Sequence, residues 1–166
     1  MDKLQTEFDI TSLLNVDNEV DYEVNGYLDV KYAGNKTLKN HPSKLKICIK
    51  SYHEKIWINL TLDFKFESAC SRCLSENMLT KQTNFEIGFY KDDENDYDID
   101  LNTEIIDVTP LISEVILNEM KLQYLCKLEC KGLCSDCGKN QNIKVCKHPK
   151  KNLKESPFSS LSELDL

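Results

Sequence analysis

From Lys55 to Phe66 the chain alternates without a break: Ile56, Ile58, Leu60, Leu62, Phe64 and Phe66 interleave with Lys55, Trp57, Asn59, Thr61, Asp63 and Lys65. Successive side chains of a β-strand point to opposite faces, so a period of two over twelve residues predicts a long strand with its even-numbered face in a core. Leu45 to Lys50 offers a shorter partner through Ser51-Tyr52-His53-Glu54, and Thr83, Phe85, Ile87 and Phe89 form a third alternating run. These three should pair as an antiparallel meander. Tyr22, Val24, Leu28 and Val30 suggest a further strand, interrupted by Gly26. The period then changes. Thr109-Pro110 reads as an N-cap followed by proline at the first helical position, leading into Leu111, Ile112, Val115, Ile116, Leu117 and Met120, an amphipathic helix for the sheet to bury. Ser156-Pro157 repeats the signal for a short terminal helix over Leu161 and Leu164.

With 166 residues the chain is long enough to bury roughly 70% of its extended surface in one core. The expected class is α+β: an antiparallel meander with a packed amphipathic helix over residues 1–125, and a Cys-rich, zinc-stabilised knob over 126–166.

The knob is expected from its cysteines. Cys126, Cys130, Cys134, Cys137, Cys146 and His148 fall in the pattern C-x3-C-x3-C-x2-C-x8-C-x-H. Two residues between Cys134 and Cys137 let both sulfurs converge on one ion, and Gly138 can take the positive φ that such a turn demands. A second C-x2-C, Cys70 and Cys73, lies far upstream. Apart from Cys48, His41 and His53, the chain holds seven cysteines and one histidine, the ligand number of two closed four-coordinate zinc sites. Chain order suggests Cys134, Cys137, Cys146 and His148 for one ion and Cys70, Cys73, Cys126 and Cys130 for the other. A single site on the C-terminal cluster, with Cys70 and Cys73 as bystanders, also satisfies the spacing.

Competing chemistries fit less well. No basic stretch followed by an apolar run opens the chain, and no segment approaches the roughly eighteen apolar residues of a membrane span, which together predict a reduced, cytoplasmic protein rather than a disulfide scaffold. A redox C-x2-C belongs beside a βαβ pattern that is missing here. Cys48 lies on the parity opposite to Leu45, Ile47 and Ile49 and reads as an ordinary thiol. Asp92, Asp93, Glu94, Asp96, Asp98, Asp100, Glu104 and Asp107 form a run without Lys or Arg, expected as a solvated loop because calcium-loop spacing is absent.

Charge is divided by region. The net charge is −7, yet residues 121–154 carry nine lysines against Glu129 and Asp136, a local balance of nine minus two, or +7, before thiolates and metal. Such a region can take up phosphate backbone, with Lys139, Lys144, Lys147, Lys150 and Lys151 as the candidate contacts. No base-reading helix or aromatic stacking motif is legible. Nor is a nucleophile with a base at readable spacing, or a phosphate-binding glycine loop.

The order Cys70-Ser71-Arg72-Cys73-Leu74, a helix carrying Glu114, Cys130-Lys131-Gly132-Leu133-Cys134-Ser135-Asp136-Cys137-Gly138, then Cys146-Lys147-His148 and Ser156-Pro157-Phe158 resembles the YceD family, bacterial and plastid proteins implicated in accumulation of large-subunit ribosomal RNA. His148 stands where the family commonly has cysteine, an exchange zinc tolerates. Usual prolines are absent between Met120 and Leu125, Gln141 replaces a usual leucine, and Ser156-Pro157-Phe158 replaces Asp-Pro-Arg, so no role of that arginine carries over. The resemblance implies a non-catalytic factor for accumulation, processing or assembly of 23S ribosomal RNA, with the RNA or its precursor as partner and no membrane or small-molecule substrate. The alternative is a zinc-stabilised adaptor that recruits a nuclease or a ribosomal protein.

Overall fold

The computed structural model describes residues 2–14, 16–90 and 95–148. Along the chain these form β1 (Glu7–Asp9), a 3-10 turn (Thr11–Leu13), β2 (Asn18–Gly26), β3 (Lys31–Tyr32), β4 (Asn35–Thr37), β5 (Ser43–Tyr52), β6 (Lys55–Ala69), β7 (Glu76–Tyr90), β8 (Ile105–Asp107) and α1 (Thr109–Glu119). Asp92, Asp93, Glu94, Lys150, Lys151 and the Ser156-Pro157 segment lie outside the described residues.

Among the described residues the architecture is mostly antiparallel sheet with one helix. β5, β6 and β7 pair in sequence as the expected meander, and β2 adds to the free edge of β5. β6 is the axis: β7 covers one edge along all fifteen residues, while β5 and then β4 share the other, with β3 outside β4. A separate ribbon joins β1 to β8.

The alternation on β6 settles its orientation. Ile56, Ile58, Leu60, Leu62, Phe64 and Phe66 are each no more than 1% exposed. Burying such a side chain contributes about 1.5–3 kcal/mol. Leu45, Ile47 and Ile49 extend the same layer, and Leu111, Ile112, Val115 and Ile116 of α1, with Met120 at its C-cap, close it. The buried parity does not stop at Phe66; it continues through Ser68 to Cys70, so the apolar face of the strand ends at a metal-ligand candidate.

Four expectations need correction. The strand expected from Tyr22 to Val30 is β2, which starts four residues earlier at Asn18 and ends at Gly26, so Leu28 and Val30 lie beyond it. Gly26 is no flaw in a strand: a Cβ there would stand 2.5 Å from the Leu4 backbone, so glycine is what lets the N-terminal segment cross. The third strand starts at Glu76, seven residues before Thr83, because Glu76 to Gln82 pair with the end of β6 although their side chains carry little apolar signal. Thr109 is the first residue of α1 and not its N-cap; the Asp107 carboxylate accepts hydrogen bonds from the Thr109 backbone N–H (2.8 Å) and hydroxyl (2.6 Å) instead. The acidic run is more than a solvated loop, since Ile99 and Leu101 are buried within it and its end forms β8.

Candidate metal centres

The β6–β7 hairpin positions the first quartet. Cys70 follows β6, and the turn closes when the Leu74 N–H donates to the Cys70 carbonyl (2.9 Å) and the Cys70 N–H to the Ser75 carbonyl (3.0 Å), with Leu74 at a φ of 57°. The chain leaving α1 is tied to this turn, because the Ser71 N–H donates to the Tyr124 carbonyl at 2.8 Å. Two residues later it delivers Cys126. Cys70 and Cys130 sulfurs lie 3.7 Å apart, as do those of Cys73 and Cys126. A tetrahedral ion with bonds of about 2.3 Å to thiolate separates its sulfurs by about 3.8 Å, whereas a disulfide needs about 2.05 Å. All eight cysteines are free. Cys70, Cys73 and Cys130 are buried in a small cluster of their own with Tyr124, Leu125 and Cys126 around them.

The second quartet is built by local backbone bonds. The Cys134 N–H donates to the Lys139 carbonyl and the Gly138 N–H to the Cys134 carbonyl, both at 2.8 Å, and Gly138 takes the expected positive φ of 68°. Cys137 lies 3.5 Å from the Cys146 sulfur and 3.2 Å from His148 Nε2. Within each quartet all four ligand atoms fall within 4.8 Å of one another, so either could hold a metal ion, and the grouping is the one expected from chain order. The two differ in cover: Cys137 and His148 are exposed, Cys134 is buried and Cys146 is intermediate.

Three polar side chains that spacing did not single out support the quartets. Arg72 donates from Nη1 to the Cys130 carbonyl (3.2 Å), while its own carbonyl accepts the Leu133 N–H (3.1 Å), so it bridges the two turns. Gly132, at a φ of 72°, packs on that carbonyl. Asn142 donates to the Cys130 sulfur (3.2 Å) and accepts the Lys131 N–H (3.0 Å). The Ser75 hydroxyl lies 3.0 Å from the Cys73 sulfur. The signal for Arg72 was its place inside the first C-x2-C; nothing local marked Asn142.

Thiol acidity is uneven. Backbone N–H groups, that of Cys126 first, pull Cys70 down to about 6, and those of Cys137 and Asp136 pull Cys134 down to about 7. Burial and the neighbouring thiols push Cys126 up to about 12, and Cys137 with burial pushes Cys146 up to about 11. Each quartet thus opens with a thiol poised to ionise and has as its third ligand one that keeps its proton until a cation compensates the accumulated charge. Cys48, by contrast, lies on the other face of the sheet, where burial and its bond to Glu19 (3.0 Å) push it up to about 12, the behaviour of an unreactive thiol.

Lys121, Lys127, Lys131, Lys139, Lys144 and Lys147 are all exposed on the stretch 121–148 that supplies six of the eight candidate ligands, and among the described residues none of them pairs with a carboxylate. Described residues include no helix long and apolar enough to cross a membrane.

A sheet hairpin and a Cys-rich loop that gather two four-ligand clusters define a β-rich protein of the candidate metal-binding class. The chain belongs to the family described as large ribosomal RNA subunit accumulation protein YceD, whose model matches residues 58–165, more than half of the sequence and all eight candidate ligands. No curated protein matches the chain, and no solved structure does. The family description ties the protein to accumulation of large-subunit ribosomal RNA and names no reaction.

Proposed function

We propose that this protein is a cytoplasmic, non-catalytic factor that binds large-subunit ribosomal RNA or its precursor through a zinc-stabilised knob and so supports processing or assembly. In this reading two zinc ions occupy the quartets, and residues from 126 onward form a module packed on the 1–125 core. Lys139, Lys144 and Lys147, with Lys150 and Lys151 beyond the described residues, contact phosphate. The observation that carries the reading is the set of exposed lysines without ion pairs, interleaved along the chain with the ligands of two quartets, in a protein of this family. Zinc holds the loops that present the lysines, and phosphate contacts release counterions, which makes binding steeply salt-dependent.

Reversing Lys144, Lys147, Lys150 and Lys151 to Glu tests it. Association with large-subunit precursor RNA should be lost, any residual binding should depend less on salt, and zinc content should remain. Deleting the gene should lower large-subunit relative to small-subunit RNA, and the reversed variant should fail to restore the ratio. Full restoration would sink the RNA-contact mechanism.

A further inference from the structure

The end of the sheet remote from the cysteine quartets carries the only tryptophan of the chain. Three aromatic side chains stand exposed there on the polar face: Tyr52 at 62%, Tyr90 at 50% and Trp57 at 40%. Strand register gathers them. Tyr52 faces Lys55, and Lys55 faces Tyr90, in one row across β5, β6 and β7; in the next row Trp57 faces Gly88. A Cβ at Gly88 would lie 2.8 Å from the Trp57 ring, so the missing side chain lets the indole lie down on β7 and turn its other face to solvent. The rings already receive a cation. Lys55 Nζ sits 4.3 Å from the Tyr90 centroid and 5.9 Å from that of Trp57.

Charge on this face has a sign. The row after Trp57 runs Asp21, Cys48, Asn59, Glu86, and Glu54 stands in the turn beside Tyr52. Among the described residues no Lys or Arg pairs with Asp21, Glu54 or Glu86, while Lys50 is held by Glu19 at 3.0 Å. Among the described residues of these rows and the turn, three carboxylates without an ion pair therefore outnumber the one such ammonium, Lys55. A phosphate backbone is repelled here; a cationic chain is attracted. Rows on one face of a sheet repeat about every 7 Å, the spacing of alternate side chains in an extended peptide.

We propose that this face binds an arginine-rich extended protein segment, whose guanidinium groups stack on Tyr52, Trp57 and Tyr90 and pair with Glu54 and Glu86. Arginine is favoured over lysine because its planar, weakly hydrated cation stacks on a ring while its N–H groups still reach a carboxylate. β6 places this face about 45 Å from the cysteine quartets, so a basic protein segment and an RNA can be held at once. The proposal does not rest on RNA binding by the knob.

The test uses the full-length, zinc-loaded protein and three fluorescein-labelled probes of equal length: an alternating Arg-Ser peptide, an alternating Lys-Ser peptide and oligouridylate. By anisotropy the Arg peptide should bind about fivefold or more tighter than the Lys peptide. Its binding should also change Trp57 fluorescence. The double variant Tyr52→Ala/Tyr90→Ala should erase the preference while retaining precursor RNA association, so the two readings fail separately. Glu86→Lys, which leaves the rings intact, should weaken both peptides and covers the case of a double variant that folds poorly. Equal affinity for the two peptides, or an Arg preference that survives the double variant, overturns the proposal. Ring-dependent binding of oligouridylate also overturns it and assigns the face to RNA bases.

Discussion

The two cysteine quartets share their ligand chemistry and the C-x2-C turn, yet the fold treats them differently. Cys70 closes the buried row of β6, and its quartet joins the β6–β7 hairpin to the chain that leaves α1, with three of its four thiols buried. The quartet of Cys134, Cys137, Cys146 and His148 rests on short-range backbone bonds, leaves Cys137 and His148 exposed, and reaches the sheet through Arg72, Gly132 and Asn142. A metal ion at the first would act as a joint of the fold. At the second it would hold a surface loop in shape.

The largest effect sets the scale for that contrast. Phe64→Ala in the metal-independent core should cost about 3–5 kcal/mol in denaturant unfolding, because it empties a site packed on all sides. A cost below about 1 kcal/mol would mean that the sheet draws its stability from the cysteine clusters instead. Next in size, Cys70→Ser with zinc supplied should destabilise the sheet by about 2 kcal/mol or more, whereas Cys137→Ser should leave sheet unfolding within about 0.5 kcal/mol while loosening the knob. Equal costs would erase the distinction between joint and surface loop.

Elemental analysis should find close to two zinc ions per chain, and a chelator should strip the exposed quartet well before the buried one. Single-phase release would argue for one coupled centre, and one ion per chain would overturn the two-site reading, with Cys70→Ser and Cys137→Ser then telling which quartet holds it. Both ions should be lost as pH falls, since capture requires Cys126 and Cys146, which burial and neighbouring thiols hold protonated with values of about 12 and 11, to give up protons that acid returns. Ion release that increases toward alkaline pH would contradict this sign. The smallest effect belongs to the outer face: Thr61→Ala should cost well under about 1 kcal/mol, and a cost near that of Phe64→Ala would reveal a second covered layer.

Local periodicity and spacing were enough to identify the core face of β6, the meander, the α1 segment and the two C-x2-C turns, because strand alternation and such turns are properties of a few consecutive residues. Which distant cysteines join each turn was only suggested by chain order, and it is the fold that gathers Cys70 and Cys73 with Cys126 and Cys130. Periodicity and spacing were not enough for β7, whose first half is strand only because β6 lies beside it, nor for the helix start, where Val108 is the N-cap and the Asp107 carboxylate accepts the Thr109 N–H. Gly26 looked like an interruption until the Leu4 backbone was seen against it. The same limit hid Arg72 and Asn142 as the links between quartets, and the aromatic face: Tyr52, Trp57 and Tyr90 are separated along the chain and meet only through the register of β5, β6 and β7. Residue types and their periods are written locally, whereas register and close backbone approach are decided by which distant segments the hydrophobic core brings together.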